Sequence, residues 1–201
     1  MMEWTAFEDQ ARAEGSACIC GIDEAGRGPL AGPVYAAAVV LRPGQVIEGV
    51  NDSKKLSEKK REALFDTICS QCAAYGIGSA TEKEIDEINI LNATYLAMQR
   101  AVAALPVQPD CALVDGNRAP DLPLEVRTII KGDAQSASIA AASILAKVSR
   151  DRYMLQMAEK YPQYAFEKHK GYGTKLHYER LEQYGISPIH RLSFLKKWMN
   201  R

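Results

Sequence analysis

In this 201-residue sequence, two adjacent carboxylates, Asp23 and Glu24, lie between a short apolar run and a glycine-rich turn at 26–33. Neighbouring side chains point to opposite faces of a strand, but both can turn toward one cation where a strand frays at its end. Mg²⁺ and Mn²⁺ prefer oxygen ligands such as carboxylates. The pair therefore predicts a divalent-metal site at the end of a strand.

Two further carboxylates have similar settings. Asp115 follows the apolar run 110–114 and precedes Gly-Asn, and Asp133 stands just before a long helical pattern. If the strands before Asp23 and Asp115 are parallel neighbours, their carboxylates meet at one edge of a sheet, where loops form active sites. Two alternatives stay open: Asp115 as a turn-former and Asp133 as the N-cap of the following helix.

Other residues have the chemistry to bind a phosphate backbone. Ser53 and Lys54 lie in a loop before a helix, where a hydroxyl, an ammonium group and backbone N–H groups can converge on a phosphate. Helix capping explains part of that pattern equally well. Tyr172 lies between two glycines in a basic loop, so we predict an exposed ring that can stack on a sugar or a base.

The elements that must position these residues alternate between strand and helix, which predicts an α/β fold. Strands are predicted at 18–22, 34–41, 75–80, 110–114 and 124–130, and helices at 58–73, 81–86, 88–104, 137–160 and 174–183, with a short one after 194. The small residues that begin the 137–160 helix allow it to pack closely on a sheet.

Composition predicts a soluble cytoplasmic protein. Lysine plus arginine (25) balance aspartate plus glutamate (25), so net charge neither favours nor excludes a nucleic-acid partner. We identify no membrane span and no secretion signal. An odd number of cysteines, five, favours reduced thiols, and Cys69 and Cys72 are interpreted as two helix cysteines. We expect a monomer with one domain, 1–201, comprising a body to about 160 and a helical C-terminal extension from about 161.

The motifs, in their order along the chain, resemble those of the type 2 ribonucleases H, the ribonuclease HII family. They are GIDEAGRGPLAGP at 21–33, DSKKL at 52–56, VDGN at 114–117, KGD at 131–133 with SIAAASILAK at 138–147, and HKGYGT at 169–174. The first motif is specific by itself, and the order of the others makes coincidence implausible. The resemblance spans about residues 18–195.

The resemblance implies a ribonuclease H-like fold with a mixed five-stranded sheet flanked by helices and a small C-terminal helical cap. It implies an endonuclease that hydrolyses the RNA strand of RNA/DNA hybrids, nicks 5′ to single ribonucleotides in duplex DNA and serves ribonucleotide removal. The residues that match the family's functional positions are the four catalytic, metal-binding acids Asp23, Glu24, Asp115 and Asp133; Gly26, Arg27 and Gly28, which recognise the ribonucleotide; and Tyr172, which stacks on the neighbouring deoxyribose.

The expected chemistry is hydrolysis assisted by two divalent ions, Mn²⁺ or Mg²⁺, which leaves 5′-phosphate and 3′-hydroxyl ends. Two alternatives are another nuclease of the ribonuclease H superfamily and a non-catalytic nucleic-acid-binding module of the same fold. The Gly-Arg-Gly motif has no evident purpose in the first, and the presence of all four acids counts against the second.

Overall fold

The computed structural model describes residues 4–51, 53 and 56–200, so Lys54 of the predicted phosphate-binding loop lies outside the described residues. The helices are α1 (Ala6–Ala13), α2 (Glu58–Gln71), α3 (Glu82–Ala103), α4 (Ala137–Lys160), α5 (Phe166–His169), α6 (Lys175–Tyr184) and α7 (Leu192–Met199). The strands are β1 (Ile19–Ala25), β2 (Val34–Val40), β3 (Ala74–Ala80), β4 (Cys111–Asp115) and β5 (Glu125–Ile129).

The five strands form one mixed sheet in the order β3-β2-β1-β4-β5. β1 pairs antiparallel with β2 and parallel with β4, β2 pairs antiparallel with β3, and β4 pairs parallel with β5. The predicted mixed five-stranded sheet is therefore confirmed, and so is the parallel adjacency of the two strands that carry Asp23 and Asp115.

Helices cover both faces of the sheet. α3 packs on one face, where Ile85, Ala97 and Met98 join the buried core, and α2 and α4 pack on the other. α4 lies very close to β1 because Gly21 has no side chain: a Cβ atom there would lie 2.3 Å from the carbonyl carbon of Ser138. The small residues of α4 therefore serve close packing on the sheet, as the sequence predicts.

The start of α4 is fixed by two side chains. The hydroxyl of Ser136 accepts a hydrogen bond from the backbone N–H of Ile139, so Ser136, and not Asp133, is the N-cap. Glu8 of α1 accepts from the backbone N–H and the hydroxyl of Ser138 at 2.9 and 2.6 Å. A carboxylate at a helix N-terminus is favourable, so α1 holds the beginning of α4. The capping alternative for Asp133 is wrong.

Two other expectations fall near helix ends. α3 is interrupted at Asn89, whose backbone leaves helical geometry (φ 66°, ψ 165°) and whose side chain accepts from the N–H of Leu91 and Asn92. The predicted break after residue 86 therefore lies a few residues later. Cys69 lies in α2 and Cys72 caps its end, and both are free thiols.

The C-terminal elements pack against the end of α4 and against α3. Phe166 and Tyr164 join Met154 of α4 in one buried cluster, and Ser193 at the start of α7 donates to Asp86 of α3. The division into a body and a C-terminal extension stays a prediction. No helix in the described ranges has both the length and the hydropathy that a membrane span needs.

Candidate active site

Asp23 and Glu24 lie inside β1 and not at a frayed end. They pair with Ala37 and Ala36 of β2, whereas the parallel pairing of β1 with β4 ends at Ile22. The strand predicted at 18–22 therefore continues through both acids, because β2 supplies a partner beyond the point where β4 stops. The expectation that both carboxylates turn freely after the strand is corrected: the ladder fixes their backbone.

The pleat of β1 sends the two carboxylates to different faces of the sheet. Asp23 points toward α4, where it interacts with the hydroxyl of Ser143. Glu24 reaches the face covered by α3 and, with Thr94 and Met98, lines a cleft of about 210 Å³. A metal or phosphate at this edge is therefore approached by carboxylates from both sides of the sheet.

The other two acids are connected through one turn. Asp115 ends β4, and its Oδ1 atom accepts a hydrogen bond from the N–H of Gly132 at 2.6 Å. Gly132 begins the 3₁₀ turn Gly132–Ala134, which carries Asp133, and the Asp133 side chain is buried. The hydrogen bond therefore ties the turn that holds Asp133 to the end of the strand that holds Asp115.

The electrostatics of this edge are unfavourable for a bare carboxylate. Burial, followed by the negative charges of Glu24 and Asp115, raises the pKa of Asp23 well above its usual value. The Ser143 hydroxyl and the Glu24 N–H, which donates to Asp23 Oδ1 at 2.7 Å, oppose that rise only in part. Arg27 provides a cation 3.4 Å from Glu24, on a half-exposed side chain. The edge thus carries negative charge that a bound cation would stabilise.

The donor set fits a hard divalent cation. Asp23, Glu24 and Asp115 offer carboxylate oxygens beside one cleft, and Mg²⁺ and Mn²⁺ prefer such ligands. Among the residues that the structure describes, no three His, Cys, Asp or Glu side chains are grouped closely enough to hold a metal ion as they stand. The fit therefore rests on ligand chemistry and on the negative charge gathered at this edge.

The cleft beside Asp23, which we call the carboxylate cleft, has a volume of about 260 Å³. Its lining includes Asp23, Glu24 and Asp115, together with residues 25–28 and Tyr172. Ser53, Ser143 and Lys147 complete the lining. The structure therefore brings three of the four predicted acids together with the residues predicted to bind substrate, except for Lys54, which is not described.

The wall formed by Ser53 and α4 is polar. The Ser53 and Ser143 hydroxyls are 2.9 Å apart, and Ser143 in turn interacts with Asp23. One turn further along α4, Lys147 forms an ion pair with Asp151 at 2.6 Å, and burial lowers its pKa despite that partner. A cation beside the acids is thereby available to a phosphate that enters the cleft.

Residues 26–28, which we call the glycine turn, are held from beneath by a buried arginine. Arg191 donates from its three guanidinium nitrogens to the carbonyl oxygens of Gly32, Arg27 and Gly26 at 2.8, 3.0 and 2.6 Å. Burial, with the positive charge of Arg150 nearby, lowers the pKa of Arg191 to about 9, so the group stays protonated at pH 7.

A second buried arginine joins residues 31–33, which follow the glycine turn, to the loop of Tyr172. Arg150 of α4 donates to the carbonyls of Ala31, Pro33 and Lys170 at 3.0, 3.1 and 3.0 Å. The N–H of Leu30 also donates to Gly171 O at 2.8 Å. Residues 170–173, which we call the tyrosine loop, are therefore joined by hydrogen bonds to the segment that begins with the glycine turn.

The directions of the Gly26 and Arg27 carbonyls determine where the next backbone N–H groups point. A trans peptide directs the C=O of one residue and the N–H of the next to opposite sides, and the described part of the chain has no cis peptide. Since the carbonyls of Gly26 and Arg27 face Arg191, the N–H groups of Arg27 and Gly28 point away from Arg191. Such N–H groups bind anions and hydroxyl oxygens.

Tyr172 faces the glycine turn. Its side chain is 43% exposed, as predicted from its flanking glycines. A Cβ atom on Gly28 would lie 3.8 Å from the ring and would meet nothing else within 4 Å. The ring therefore lies close against Gly28, and the glycine turn and Tyr172 line the cleft together.

Sequence reasoning missed Ser143, Lys147, Arg150 and Arg191. The first two had a usable signal, since residues four apart on a helix share a face. Ser143 lies on the face of α4 that contacts Asp23, and Lys147 follows it on that face. Arg150 and Arg191 had none, because five of their six carbonyl partners lie 117 to 165 residues away in the chain.

The fold and the sequence both match known proteins. A family model described as Ribonuclease HII matches residues 20–197. The Ribonuclease HII of Caldicellulosiruptor bescii is 59% identical over 190 residues, which cover 94% of this chain and 92% of that one. The ribonuclease H2 structure from Pyrococcus horikoshii OT3 is 31% identical, with a TM-score of 0.73, over 88% of this chain and 93% of that one. The RNase HII of Archaeoglobus fulgidus, solved in complex with PCNA, is 28% identical with a TM-score of 0.68, over 88% and 94% of the two chains.

Proposed function

Because the chain belongs to the ribonuclease HII family, we propose that it nicks duplex DNA 5′ to single embedded ribonucleotides. Its general activity is that of a ribonuclease H, an endonuclease that hydrolyses the RNA strand of RNA/DNA hybrids. One observation carries the finer proposal: three of the carboxylates, the glycine turn and Tyr172 line the same cleft. A site that reads one ribose needs metal-binding and hydroxyl-binding groups within one nucleotide of each other.

The proposed catalytic groups are Asp23, Glu24, Asp115 and Asp133, which would hold two divalent ions, Mn²⁺ or Mg²⁺. Such ions supply an activated water and stabilise the departing 3′ oxygen. The carboxylates would orient the ions. Burial, and after it the negative charges of Glu24 and Asp115, raises the pKa of Asp23, and a bound cation would offset both effects. The two-metal assignment stands on this chemistry and on the matched motif positions.

The proposed reader of the ribose is the glycine turn. The outward N–H groups of Arg27 and Gly28 are suited to the 2′-hydroxyl oxygen and the adjacent phosphate, a contact that distinguishes RNA from DNA. Tyr172 would stack on the deoxyribose on the DNA side of the junction. Ser53 and Lys54 would bind a phosphate beside α4.

The products would carry 5′-phosphate and 3′-hydroxyl ends. If the glycine turn holds the 2′-hydroxyl as a recognition group, that oxygen does not attack the phosphorus atom, and water is the nucleophile. Detection of a 2′,3′-cyclic phosphate would contradict this assignment. We propose further that the enzyme acts as a cytoplasmic monomer in the removal of ribonucleotides from DNA.

The decisive experiment uses a labelled DNA duplex with one internal ribonucleotide, incubated with Mn²⁺ or Mg²⁺. We expect a single nick 5′ to the ribonucleotide, and we expect Asp23→Asn to abolish it. An all-DNA duplex and a long RNA/DNA hybrid are the matched substrates. Binding without cleavage would indicate a non-catalytic module, and cleavage of the all-DNA duplex would indicate another nuclease of the superfamily.

A further inference from the structure

All three histidines of the chain lie in one buried cluster beneath Tyr172. His169 ends α5, His177 lies in the first turn of α6, and His190 precedes α7. The rings of His169 and His177 are stacked with centroids 4.3 Å apart, and those of His177 and His190 are 5.1 Å apart. The carboxylate cleft has no histidine in its lining, so the proposed chemistry does not account for the cluster.

The hydrogen bonds fix the proton positions of two rings. Nδ1 of His190 accepts from the backbone N–H of Ser187 at 2.9 Å, so the proton of neutral His190 is on Nε2. That N–H faces Nε2 of His177 at 2.9 Å, which must then accept. The proton of His177 is therefore on Nδ1, which donates to the carbonyl of Tyr172 at 2.9 Å. Only one neutral arrangement satisfies the chain Ser187–His190–His177–Tyr172.

The third ring is fixed in the same way. Nδ1 of His169 accepts from the N–H of Gly171 at 3.2 Å, and its Nε2 lies 3.0 Å from the carbonyl of Tyr164, to which it donates. An additional proton on any of the three rings would place a donor against a donor. Consistent with this geometry, burial lowers the pKa of His177 to about 4 and that of His190 to about 3.

The histidines form hydrogen bonds with the backbone just before and just after the Tyr172 side chain. The Tyr172 carbonyl is bound by His177, the N–H of Gly171 by the His169 ring, and the N–H of Tyr172 by the His169 carbonyl at 2.9 Å. The side chain therefore emerges from a backbone held at three points by two histidines. A rigid backbone restricts the directions that an exposed ring can take.

We propose that His169, His177 and His190 are positioning residues, a directional hydrogen-bond relay that sets the Tyr172 ring opposite the glycine turn. The inference deepens the proposed function and rests on it, since Tyr172 is the group assigned to the deoxyribose beside the ribonucleotide. The relay gives the enzyme its selectivity for a ribonucleotide followed by DNA, while the carboxylates perform the hydrolysis. A phenylalanine could fill the same volume, but it could not bind the Tyr172 carbonyl.

The test compares two amide substitutions at one position. In His177→Asn, the amide NH₂ lies near the former Nδ1 and can still donate to the Tyr172 carbonyl. In His177→Gln, the amide reaches the former Nε2, beside His190, and leaves that carbonyl without its donor. Both variants lose the ring and the stacking on His169. They differ in which hydrogen bond they keep: His177→Asn keeps the bond to Tyr172, and His177→Gln keeps the bond to His190.

We expect His177→Gln to lower kcat/KM for the single-ribonucleotide duplex by about tenfold, the size of one hydrogen bond, mainly through KM. Cleavage of a long RNA/DNA hybrid should stay within about twofold, since that strand offers no deoxyribose to Tyr172. His177→Asn should retain most of the selectivity. Equal losses on both substrates, or equal selectivity in the two variants, would show a merely structural role and overturn the relay.

Two further measurements separate the possible failures. Nitrogen-15 NMR of the wild-type protein at pH 7 should show His177 protonated on Nδ1 and His190 on Nε2, and any other pair of tautomers overturns the relay even if the variants do not fold. Tyr172→Ala should also lose selectivity. If it does while His177→Gln does not, only the relay is wrong. If Tyr172→Ala keeps selectivity, the proposed role of the tyrosine is wrong and the relay is overturned with it.

Discussion

The two walls of the carboxylate cleft are held in opposite ways. On the acidic side, Asp23 is buried among the like charges of Glu24 and Asp115, and its pKa is raised. On the other side, the glycine turn and the tyrosine loop rest on Arg150, Arg191 and the three histidines, which we call the basic support. Its arginines bind six backbone carbonyls.

On one side the fold itself supplies the hydrogen-bond partners, whereas on the other a bound cation would balance the negative charge. Polar groups of the basic support have their partners within the chain, so the support contributes to stability and fixes geometry before substrate arrives. The acidic side carries a cost in stability that a bound cation would relieve. Substitutions on the two sides should therefore have opposite effects on the free energy of unfolding, which gives four predictions.

Removal of Arg191 should have the largest effect. Arg191→Met leaves three carbonyls, those of Gly26, Arg27 and Gly32, without their donor, at about 1 kcal/mol or more each. We expect the free energy of unfolding to fall by about 3 kcal/mol or more in urea titrations. Arg191→Lys should recover part of this loss. Exposed Lys197 on α7 gives the matched control, since Lys197→Met should change stability by less than about 0.5 kcal/mol. A similar small change for Arg191→Met would show that the carbonyls find other donors.

Acidification should weaken the basic support next. His177 has its pKa lowered to about 4 by burial and by the neighbouring His169, whereas the unfolded chain protonates near pH 6.5. Between these values the unfolded state binds more protons, so stability is lost as pH falls from about 6.5 toward 4, by on the order of 3 kcal/mol. Carboxylates titrate in the same range, so the comparison is with His177→Asn. The wild type should take up about one more proton on unfolding at pH 5 than this variant. Equal proton uptake would mean that His177 is not buried in its neutral form.

Much of the acidic side of the cleft could be predicted from the sequence. The apolar runs before Asp23 and Asp115 predict strands because their patterns are local. The exposure of Tyr172 follows from its two flanking glycines. Both inferences use residues that are neighbours in the chain, whereas the parallel adjacency of the two strands was a condition that the pairing of β1 with β4 meets.

The basic support could not be predicted, because it consists of contacts between distant segments. The bond from Arg191 to Gly26 spans 165 residues, and no periodic pattern marks either partner. The predicted length of β1 was wrong for a related reason, since the last residues of that strand are paired by β2 alone. Asp133 was the cap of α4 that the sequence suggested, but Ser136 is the N-cap because it directly precedes the first helical residue in extended geometry.

The third prediction is that a substitution on the acidic side raises the free energy of unfolding. Asp23→Asn removes a buried like charge but keeps an oxygen that can accept from the Glu24 N–H. In the presence of a chelator, we expect the free energy of unfolding to rise by about 1 kcal/mol, while cleavage falls at least about 100-fold through lost charge stabilisation. Asp66→Asn on the exposed face of α2 is the matched charge change and should alter neither quantity appreciably. A destabilised Asp23→Asn protein would mean that the acidic side is not under electrostatic strain.

The smallest change in stability is expected at Gly28, and its comparison with Gly26 in the same turn distinguishes support from recognition. Gly26 has φ +98°, and a Cβ atom there would lie 2.1 Å from Nε of Arg150, so Gly26→Ala should destabilise the protein by about 1 to 3 kcal/mol. Gly28 lacks a positive φ, and its Cβ would meet only the Tyr172 ring at 3.8 Å, so Gly28→Ala should stay within about 0.5 kcal/mol of wild type. The added methyl group nevertheless occupies the space between the turn and the ring. Displacement of a ribose by about 1 Å there is expected to lower kcat/KM for the single-ribonucleotide duplex by about 100-fold. Undiminished cleavage by a folded Gly28→Ala protein would exclude the glycine turn as the ribose reader, because the methyl group cannot avoid a substrate bound against it.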